Sequence, residues 1–248
     1  MKLIVVEDKK AIGKVVGQIF VNSVQQNPKV VFGLATGSSP EPVYEYLIED
    51  YQKNNTDWSK VTTFNLDEYV GLEPTHPQSY RYFMNEKLFD HLNIDKEHTY
   101  VPLGIGDYVA SAKQYDALIA QVGGIDLQLL GVGTNGHVGF NEPPADFNSL
   151  TGVVDLVETT IQANARFFAS VNEVPKQAVS MGIKSILNAK KIILIANGSN
   201  KAQAIKQLVE GETDNLWPCT ALQMHEDITV VVDKTAAALL QSHGVNIS

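Results

Sequence analysis

Three segments of the sequence combine residue types that could bind an anion or move a proton. The first, residues 33–40, reads GLATGSSP and leads from an apolar run into a helical pattern. Glycine lets a backbone approach a phosphate closely, and the first amides of a helix point outward without intrahelical partners. The candidate phosphate-binding residues are therefore Thr36, Gly37, Ser38 and Ser39. The segment lacks both a Walker lysine and the spacing of a dinucleotide fingerprint, so an ordinary capped turn is the alternative.

The second segment, residues 64–69, places two adjacent carboxylates, Asp67 and Glu68, directly after an apolar run. A carboxylate at the end of a strand can act as a general base that removes a proton next to a carbonyl and returns it to the neighbouring carbon. A helix cap or a solvated loop charge is the simpler explanation of such a pair taken alone. A metal pair is disfavoured, because no His-x-His or Cys cluster accompanies the two acids.

The third and most specific segment, residues 131–143, reads GVGTNGHVGFNEP. Its four glycines within nine residues let the chain turn tightly around a ligand. His137 precedes Glu142 by five residues, and a carboxylate can orient an imidazole that carries protons near neutral pH. An isolated histidine is usually structural, but a glycine-rich loop at a ligand-binding edge favours a functional one.

Two cations could supply positive charge to an anion bound at these segments. Arg166 lies in a polar stretch, and Lys201 follows the sequence NGSN after an apolar run. Arginine offers a planar fork to phosphate oxygens, and lysine offers a compact charge. Taken alone, each is an ordinary surface cation.

The elements that must position these residues are short β-branched runs alternating with amphipathic stretches. Strands are predicted at residues 3–6, 30–34, 61–65, 125–131, 178–182, 191–196 and 228–233. Helices are predicted from about residue 11 and over residues 41–53, 80–89 and 108–122, with Ser79 and Asp107 at two of the starts. Crossovers of this length build an α/β fold with a doubly wound, mostly parallel sheet and helices on both faces. Its ligands bind beyond the carboxyl ends of the strands.

The domain organisation is predicted to be simple. No linker, repeat or low-complexity segment divides residues 1–248, so a single domain is expected. Residues 159–179 interrupt the rhythm of strands with a polar helix and Pro175, and part of that stretch is expected to be a lid rather than framework.

Composition disfavours several classes of partner. The formal net charge is -9, with 19 basic and 28 acidic residues and no long run of one sign, which argues against nucleic acid and acidic membrane surfaces. The chain contains no apolar stretch long enough to span a bilayer, and its start turns acidic after four apolar residues, unlike a secretory signal. The one cysteine, Cys219, excludes an internal disulfide and suits a reducing compartment, so a cytoplasmic protein is expected.

Four blocks of the sequence carry a resemblance to a known family. Residues 36–39, 64–71, 76–80 and 131–143 occur in the order found in glucosamine-6-phosphate deaminases, which the chain resembles over nearly its full length. The resemblance implies a modified Rossmann-like fold. It also implies conversion of glucosamine 6-phosphate to fructose 6-phosphate and ammonia by isomerisation and deamination, with neither a metal nor an organic cofactor.

The resemblance also implies a role for each candidate residue. Asp67 would move a proton between C2 and C1, His137 would open the pyranose ring, and Glu142 would orient and charge-balance that histidine. The phosphate ligands would be Ser38, Ser39, Arg166 and Lys201. Thr36 and Gly37 would shape the loop between the sheet and the substrate.

Two departures from the family pattern bear on function. Some relatives carry aspartate at the position of Asn135, and an asparagine that contacted the imidazole would leave Glu142 as the sole charge in the relay. Some relatives are oligomers that are activated by N-acetylglucosamine 6-phosphate and are longer at the C-terminus. Residues 143–165 contain no Lys or Arg, so little or no such activation is expected here. The oligomeric state, monomer or homo-oligomer, stays open.

Other functions are compatible with a similar fold. A 6-phosphogluconolactonase has a similar glycine-rich loop but needs activated water rather than proton transfer at C2, and the setting of Asp67 and Glu142 favours the deaminase. A ribose-phosphate isomerase would show different motifs. A sugar-phosphate sensing domain of a transcription regulator would need a DNA-reading module, for which the first strand at Leu3 leaves no room.

Overall fold

The computed structural model describes residues 1–165, 168, 170 and 173–241 and contains two β-sheets. The larger sheet has seven strands, and all of its pairs are parallel. Its order is β1 (Lys2–Val6), β10 (Ile228–Asp233), β9 (Ile192–Ala196), β6 (Leu127–Leu130), β2 (Val31–Leu34), β3 (Thr62–Asn65) and β5 (Thr99–Tyr100). This arrangement confirms the predicted parallel sheet.

Helices cover both faces of this sheet, as a parallel sheet requires. They are α1 (Lys9–Gln26), α2 (Glu41–Asn54), α3 (Tyr80–Lys87), α4 (Tyr108–Gln121), α5 (Glu158–Asn164), α6 (Ile183–Leu187) and α7 (Ala202–Glu210). Alternate side chains of one strand enter opposite cores: Ile4 packs in the cluster with α1 and α2, and Val5 in the cluster with α4, α6 and α7. Of the described helices, none has the length and apolar character needed to cross a membrane.

The predicted helix starts at Ser79 and Asp107 are confirmed. The Ser79 hydroxyl accepts the backbone N–H of Tyr82 at 3.0 Å, and the Asp107 carboxylate accepts that of Ala110 at 3.1 Å. Each side chain satisfies an amide that has no partner within its helix, which sets where the helix begins. The backbone N–H groups of Tyr80 and Arg81 donate to Glu68, so the N-terminus of α3 lies next to the segment that carries Asp67.

The second sheet is short and antiparallel, and it differs from the prediction. Its order is β4 (Asp67–Tyr69), β8 (Gln177–Ser180) and β7 (Gly152–Asp155). The run predicted at 178–182 is β8 and pairs antiparallel with β4 instead of joining the parallel sheet. An apolar run that is buried on both faces shows the same pattern in either kind of sheet, so periodicity could not decide its partners.

Candidate active site

The three chemically interesting segments meet in one cavity of about 500 Å³. Each follows the carboxyl end of a strand of the larger sheet: residues 35–39 follow β2, Asp67 follows β3, and residues 131–142 follow β6. This is the edge at which parallel α/β sheets bind ligands. The lining residues from these segments include Thr36, Gly37, Ser38, Ser39, Asp67, Asn135, His137 and Glu142.

The candidate phosphate loop runs from β2 into α2. Gly37 has a φ of 89°, a left-handed backbone conformation that residues other than glycine rarely adopt. Tyr44 of α2 is fully buried, and its hydroxyl donates to the carbonyl oxygen of Ala35 at 2.5 Å, so the first turn of α2 holds the start of the loop. Burial raises the pKa of Tyr44 well above its ordinary value, and the phenol stays a donor. Nothing in the local sequence indicated this support, because the bond spans nine residues.

The adjacent carboxylates Asp67 and Glu68 have different environments. Glu68 is buried and accepts the backbone N–H groups of Tyr69, Tyr80 and Arg81 at 2.8, 2.9 and 3.0 Å, so it caps the start of α3. The helix-cap interpretation is therefore correct for Glu68. Asp67 points into the cavity instead, with 6% of its surface exposed.

The electrostatics of Asp67 suit proton transfer. Burial is the main reason that the pKa of Asp67 rises from 3.8 to about 8, and the neighbouring Glu68 charge raises it further. Burial also raises the pKa of Glu68, although its three amide donors oppose the rise. A carboxyl group that binds a proton near neutral pH can both take and return one.

His137, Asn135 and Glu142 form one hydrogen-bonded relay. Asn135 Nδ2 donates to Glu142 Oε2 at 2.7 Å, which leaves Asn135 Oδ1 to accept from His137 Nδ1 at 2.8 Å. Glu142 Oε1 lies 3.3 Å from the same His137 Nδ1. Two acceptors at Nδ1 place the proton of the neutral ring there, and Nε2 is left to act as a base toward a ligand. Asn135 therefore contacts the imidazole, the condition on which its predicted role depended.

Glu142 remains ionised despite its partial burial. Burial raises the pKa of Glu142, but the hydrogen bond and charge of His137 outweigh this effect, together with hydrogen bonds from Asn135 and Thr160. The net result lowers the pKa to about 2. Thr160 of α5 donates its hydroxyl to Glu142 Oε1 at 2.9 Å and lines the cavity, a contact that the sequence analysis missed.

The glycine-rich loop around His137 packs against a segment that is distant in sequence and contains Trp217 and Cys219. The carbonyl oxygen of Gly136 accepts the backbone N–H of Cys219 at 2.7 Å, and a Cβ added to Gly136 would lie 3.0 Å from the Trp217 ring. The backbone N–H of Gly133 donates to the carbonyl oxygen of His137 at 2.8 Å. Burial raises the pKa of the Cys219 thiol to about 12, so the side chain fills space beneath the loop as an unionised group.

Aromatic side chains form one wall of the site. Tyr80 lines the cavity and lies parallel to Phe140, with ring centroids 6.3 Å apart. Tyr69 packs on both rings, and Phe168 contacts Tyr69 edge to face and stacks against His76. Tyr80, from the block at residues 76–80, thus lies at the cavity, whereas His76 of the same block does not line it.

Of the two predicted cations, only Lys201 lies within the described residues, and it is not at the cavity. Lys201 ends a turn (Ser199–Lys201) after β9; it is half-buried, burial lowers its pKa, and it does not line the cavity. Arg166 lies outside the described residues. No three His, Cys, Asp or Glu side chains of the described residues are grouped so that they could hold a metal ion.

Comparison with known proteins identifies relatives over nearly the whole chain. The model of a family described as glucosamine-6-phosphate isomerases/6-phosphogluconolactonase matches residues 9–231. A glucosamine-6-phosphate deaminase of Clostridium perfringens (strain SM101 / Type A) is 49% identical over 242 residues, which cover 97% of this chain and 100% of the relative. A glucosamine-6-phosphate deaminase of Mycoplasma mycoides subsp. mycoides SC is 47% identical over 246 residues, 99% of this chain and 100% of the relative.

Solved structures of a deaminase and a lactonase resemble this chain to different degrees. A monomeric glucosamine-6-phosphate deaminase superposes with a TM-score of 0.94 at 41% identity and covers 97% of this chain and 100% of its own. The 6-phosphogluconolactonase of Trypanosoma cruzi superposes with a TM-score of 0.77 at 19% identity, with 97% of each chain covered. The lactonase therefore shares the fold, while the deaminase shares both the fold and much of the sequence.

Proposed function

The chain belongs to the family of glucosamine-6-phosphate isomerases and 6-phosphogluconolactonases, and we propose that it converts glucosamine 6-phosphate to fructose 6-phosphate and ammonia. Relatives named glucosamine-6-phosphate deaminase are nearly half identical over 97% or more of the chain, which supports this substrate over a phosphogluconolactone. The observation that carries the proposal is that Asp67 and the His137 relay line the same cavity.

Substrate binding begins at the phosphate. The backbone amides and hydroxyls of residues 36–39 bind the phosphate oxygens at the start of α2. The family resemblance assigns Arg166 and Lys201 as the cations that pair with the bound phosphate. Anchoring the tail of the sugar holds C2 beside Asp67, so that proton transfer becomes effectively intramolecular.

The reaction then proceeds in three stages. His137 Nε2 takes the proton of the C1 hydroxyl and delivers it to the ring oxygen as the C1–O5 bond breaks, which gives the open-chain aldehyde. Asp67 removes the proton from C2 while a proton of the substrate ammonium group passes to O1, which gives an enolamine. Asp67 then returns its proton to C1, and the product is an iminium at C2. Water adds to C2 and ammonia leaves, which completes the ketose.

The relay is suited to the first stage. Glu142 is ionised and lies beside His137 Nδ1, so it stabilises the positive charge that the ring gains when Nε2 takes a proton. Asn135 carries no charge and fixes the tautomer by accepting from Nδ1. The negative charge of the relay therefore resides on Glu142.

Several broader properties accompany this proposal. We assign residues 1–248 to a single domain, with a lid within 159–179, and we place the protein in the cytoplasm. The reduced, buried Cys219 and the acidic composition support that location and a small-molecule partner rather than nucleic acid. The similar solved deaminase, which is monomeric, supports a monomer.

The test is to mix purified protein with glucosamine 6-phosphate and to follow both ammonia and fructose 6-phosphate, with 6-phosphogluconolactone assayed in parallel. We expect stoichiometric release of both products and slow or no lactone hydrolysis. Preferential hydrolysis of the lactone would contradict the proposal.

A further inference from the structure

Thr160 joins helix α5 to the histidine relay. It lies in the first turn of α5, where its backbone N–H donates to the carbonyl oxygen of Val157 at 2.9 Å. Its hydroxyl donates to Glu142 Oε1 at 2.9 Å. The helix therefore holds the hydroxyl beside the carboxylate.

The two oxygens of Glu142 have separate donors. Oε2 accepts from Asn135 on the glycine loop, and Oε1 accepts from Thr160 and faces His137 Nδ1. The terminal torsion of a glutamate is broad, so the carboxylate rotates freely unless donors fix both ends. Thr160 supplies the donor at the oxygen that faces the imidazole.

We propose that Thr160 is a positioning residue for ring opening. Its hydroxyl, held by α5, fixes the Glu142 carboxylate beside His137 Nδ1. The inference rests on the proposed function, in which this relay opens the sugar ring.

The charges around Glu142 favour a neutral donor at this position. His137 is the titratable group that faces Glu142 from the glycine loop, and Asp67 lines the same cavity from β4. A lysine at position 160 would compete with the imidazolium for the carboxylate. A hydroxyl stabilises the ionised carboxylate and leaves its charge for His137.

Two substitutions isolate the hydroxyl. Thr160→Val keeps the β-branched shape and removes the donor, while Thr160→Ser keeps the donor and removes a methyl group. For Thr160→Val we expect kcat with glucosamine 6-phosphate to fall about tenfold and KM to stay within about twofold. Thr160→Ser is expected to stay within about twofold of wild type in both constants.

An inhibitor without a ring separates binding from ring opening. The reduced open-chain amine, 2-amino-2-deoxyglucitol 6-phosphate, needs the phosphate loop but not the relay. We expect its inhibition constant to be unchanged in Thr160→Val. A weaker constant that matched the loss of kcat would assign Thr160 to binding and overturn the proposal.

Two further variants control for effects on the helix and test the route through Glu142. Gln162 lies on the exposed side of α5 and donates to Glu158 Oε1 at 2.7 Å, so Gln162→Ala removes a hydrogen bond of the same helix without touching the relay. It is expected to keep kcat within about twofold of wild type. In a Glu142→Ala background, Thr160→Val is expected to lower kcat by less than about twofold, because its partner is already absent.

The outcomes are distinct. Wild-type kcat in Thr160→Val, equal losses in the Val and Ser variants, or an equal loss in Gln162→Ala would each overturn the positioning role of the hydroxyl. A wild-type protein that released no ammonia from glucosamine 6-phosphate would instead overturn the proposed function, and this inference with it.

Discussion

The two sheets of this protein differ in how they are held and in what they contribute to the site. The seven parallel strands lie between two large apolar clusters. Among the described residues, the small cluster beside the antiparallel sheet buries only Tyr69, Leu156 and Ala178. Local opening is easiest where few apolar side chains are buried. The first sheet therefore holds the phosphate loop and the histidine firmly, while the second carries Asp67 and borders the segment predicted to move.

The largest effect expected is on the base carried by the second sheet. Asp67→Asn removes the carboxylate that moves the C2 proton, and we expect kcat to fall by about 10³-fold while binding of the ring-less inhibitor is retained. Ammonia release and inhibitor titration measure the two quantities. Full turnover in this variant would remove the proposed mechanism.

The same substitution is also expected to change the pH dependence of the free energy of unfolding. The folded-state pKa of Asp67 is raised to about 8 from 3.8, so the folded protein loses stability as pH rises from about 4 through 8. Asparagine does not ionise, and we expect Asp67→Asn to be more stable than wild type by about 2 kcal/mol at pH 9. At pH 4 the gain is expected to vanish. Urea unfolding at the two pH values measures this, and an equal gain at both would show that ionisation is not the cause.

The relay on the first sheet is tested by Glu142→Gln. Loss of its charge leaves the imidazolium without a counter-ion, so we expect kcat to fall by about 10²-fold with the cyclic substrate. Turnover of an open-chain analogue is expected to change far less. An equal loss on both substrates would reject the ring-opening role.

Paired core substitutions test whether the two regions differ in stability. Leu194 on β9 is fully buried, whereas Leu156 in the small cluster is 8% exposed. We expect Leu194→Ala to lower the free energy of unfolding by about 3 kcal/mol and Leu156→Ala by about 1 kcal/mol. Leu156→Ala is expected to change KM and kcat more, because its cluster borders the site. Urea unfolding measures the stability changes, and steady-state kinetics measure KM and kcat. A larger loss of stability in Leu156→Ala than in Leu194→Ala would contradict the proposed difference between the two regions.

The smallest expected effect concerns activation by N-acetylglucosamine 6-phosphate. Residues 143–165 carry no Lys or Arg to hold a second phosphate, so we expect hyperbolic kinetics that this ligand leaves unchanged. Initial rates across a substrate range, with and without the ligand, provide the measurement. Sigmoidal kinetics abolished by the ligand would contradict the expectation.

Local signals in the sequence were sufficient for the framework. Every predicted strand exists within two residues of its predicted ends, and Ser79 and Asp107 begin helices as expected. These features depend on contacts between near neighbours: a cap bonds to an amide three residues away, and a buried parallel strand is a short apolar run. The same patterns located the three segments that line the cavity.

Other parts of the site could not be assigned from the sequence, because they depend on contacts between distant residues. Asp67 and Glu68 are equivalent neighbours in the sequence. Because β4 pairs with β8 and α3 packs nearby, Asp67 points into the cavity and Glu68 caps α3. The support of Gly136 by Cys219 spans more than eighty residues and has no local signature.

By itself, the sequence determined six strands of the parallel sheet, helices α1 to α4 and the loops at the ligand-binding edge, since periodicity and capping act over a few residues. The tertiary structure alone decided the antiparallel partners of β8, the relay through Asn135 and the contact of Thr160 with Glu142. Hydrogen-bond partners and buried carboxylates are set by which segments pack together, and packing between distant segments leaves no fixed spacing in the chain.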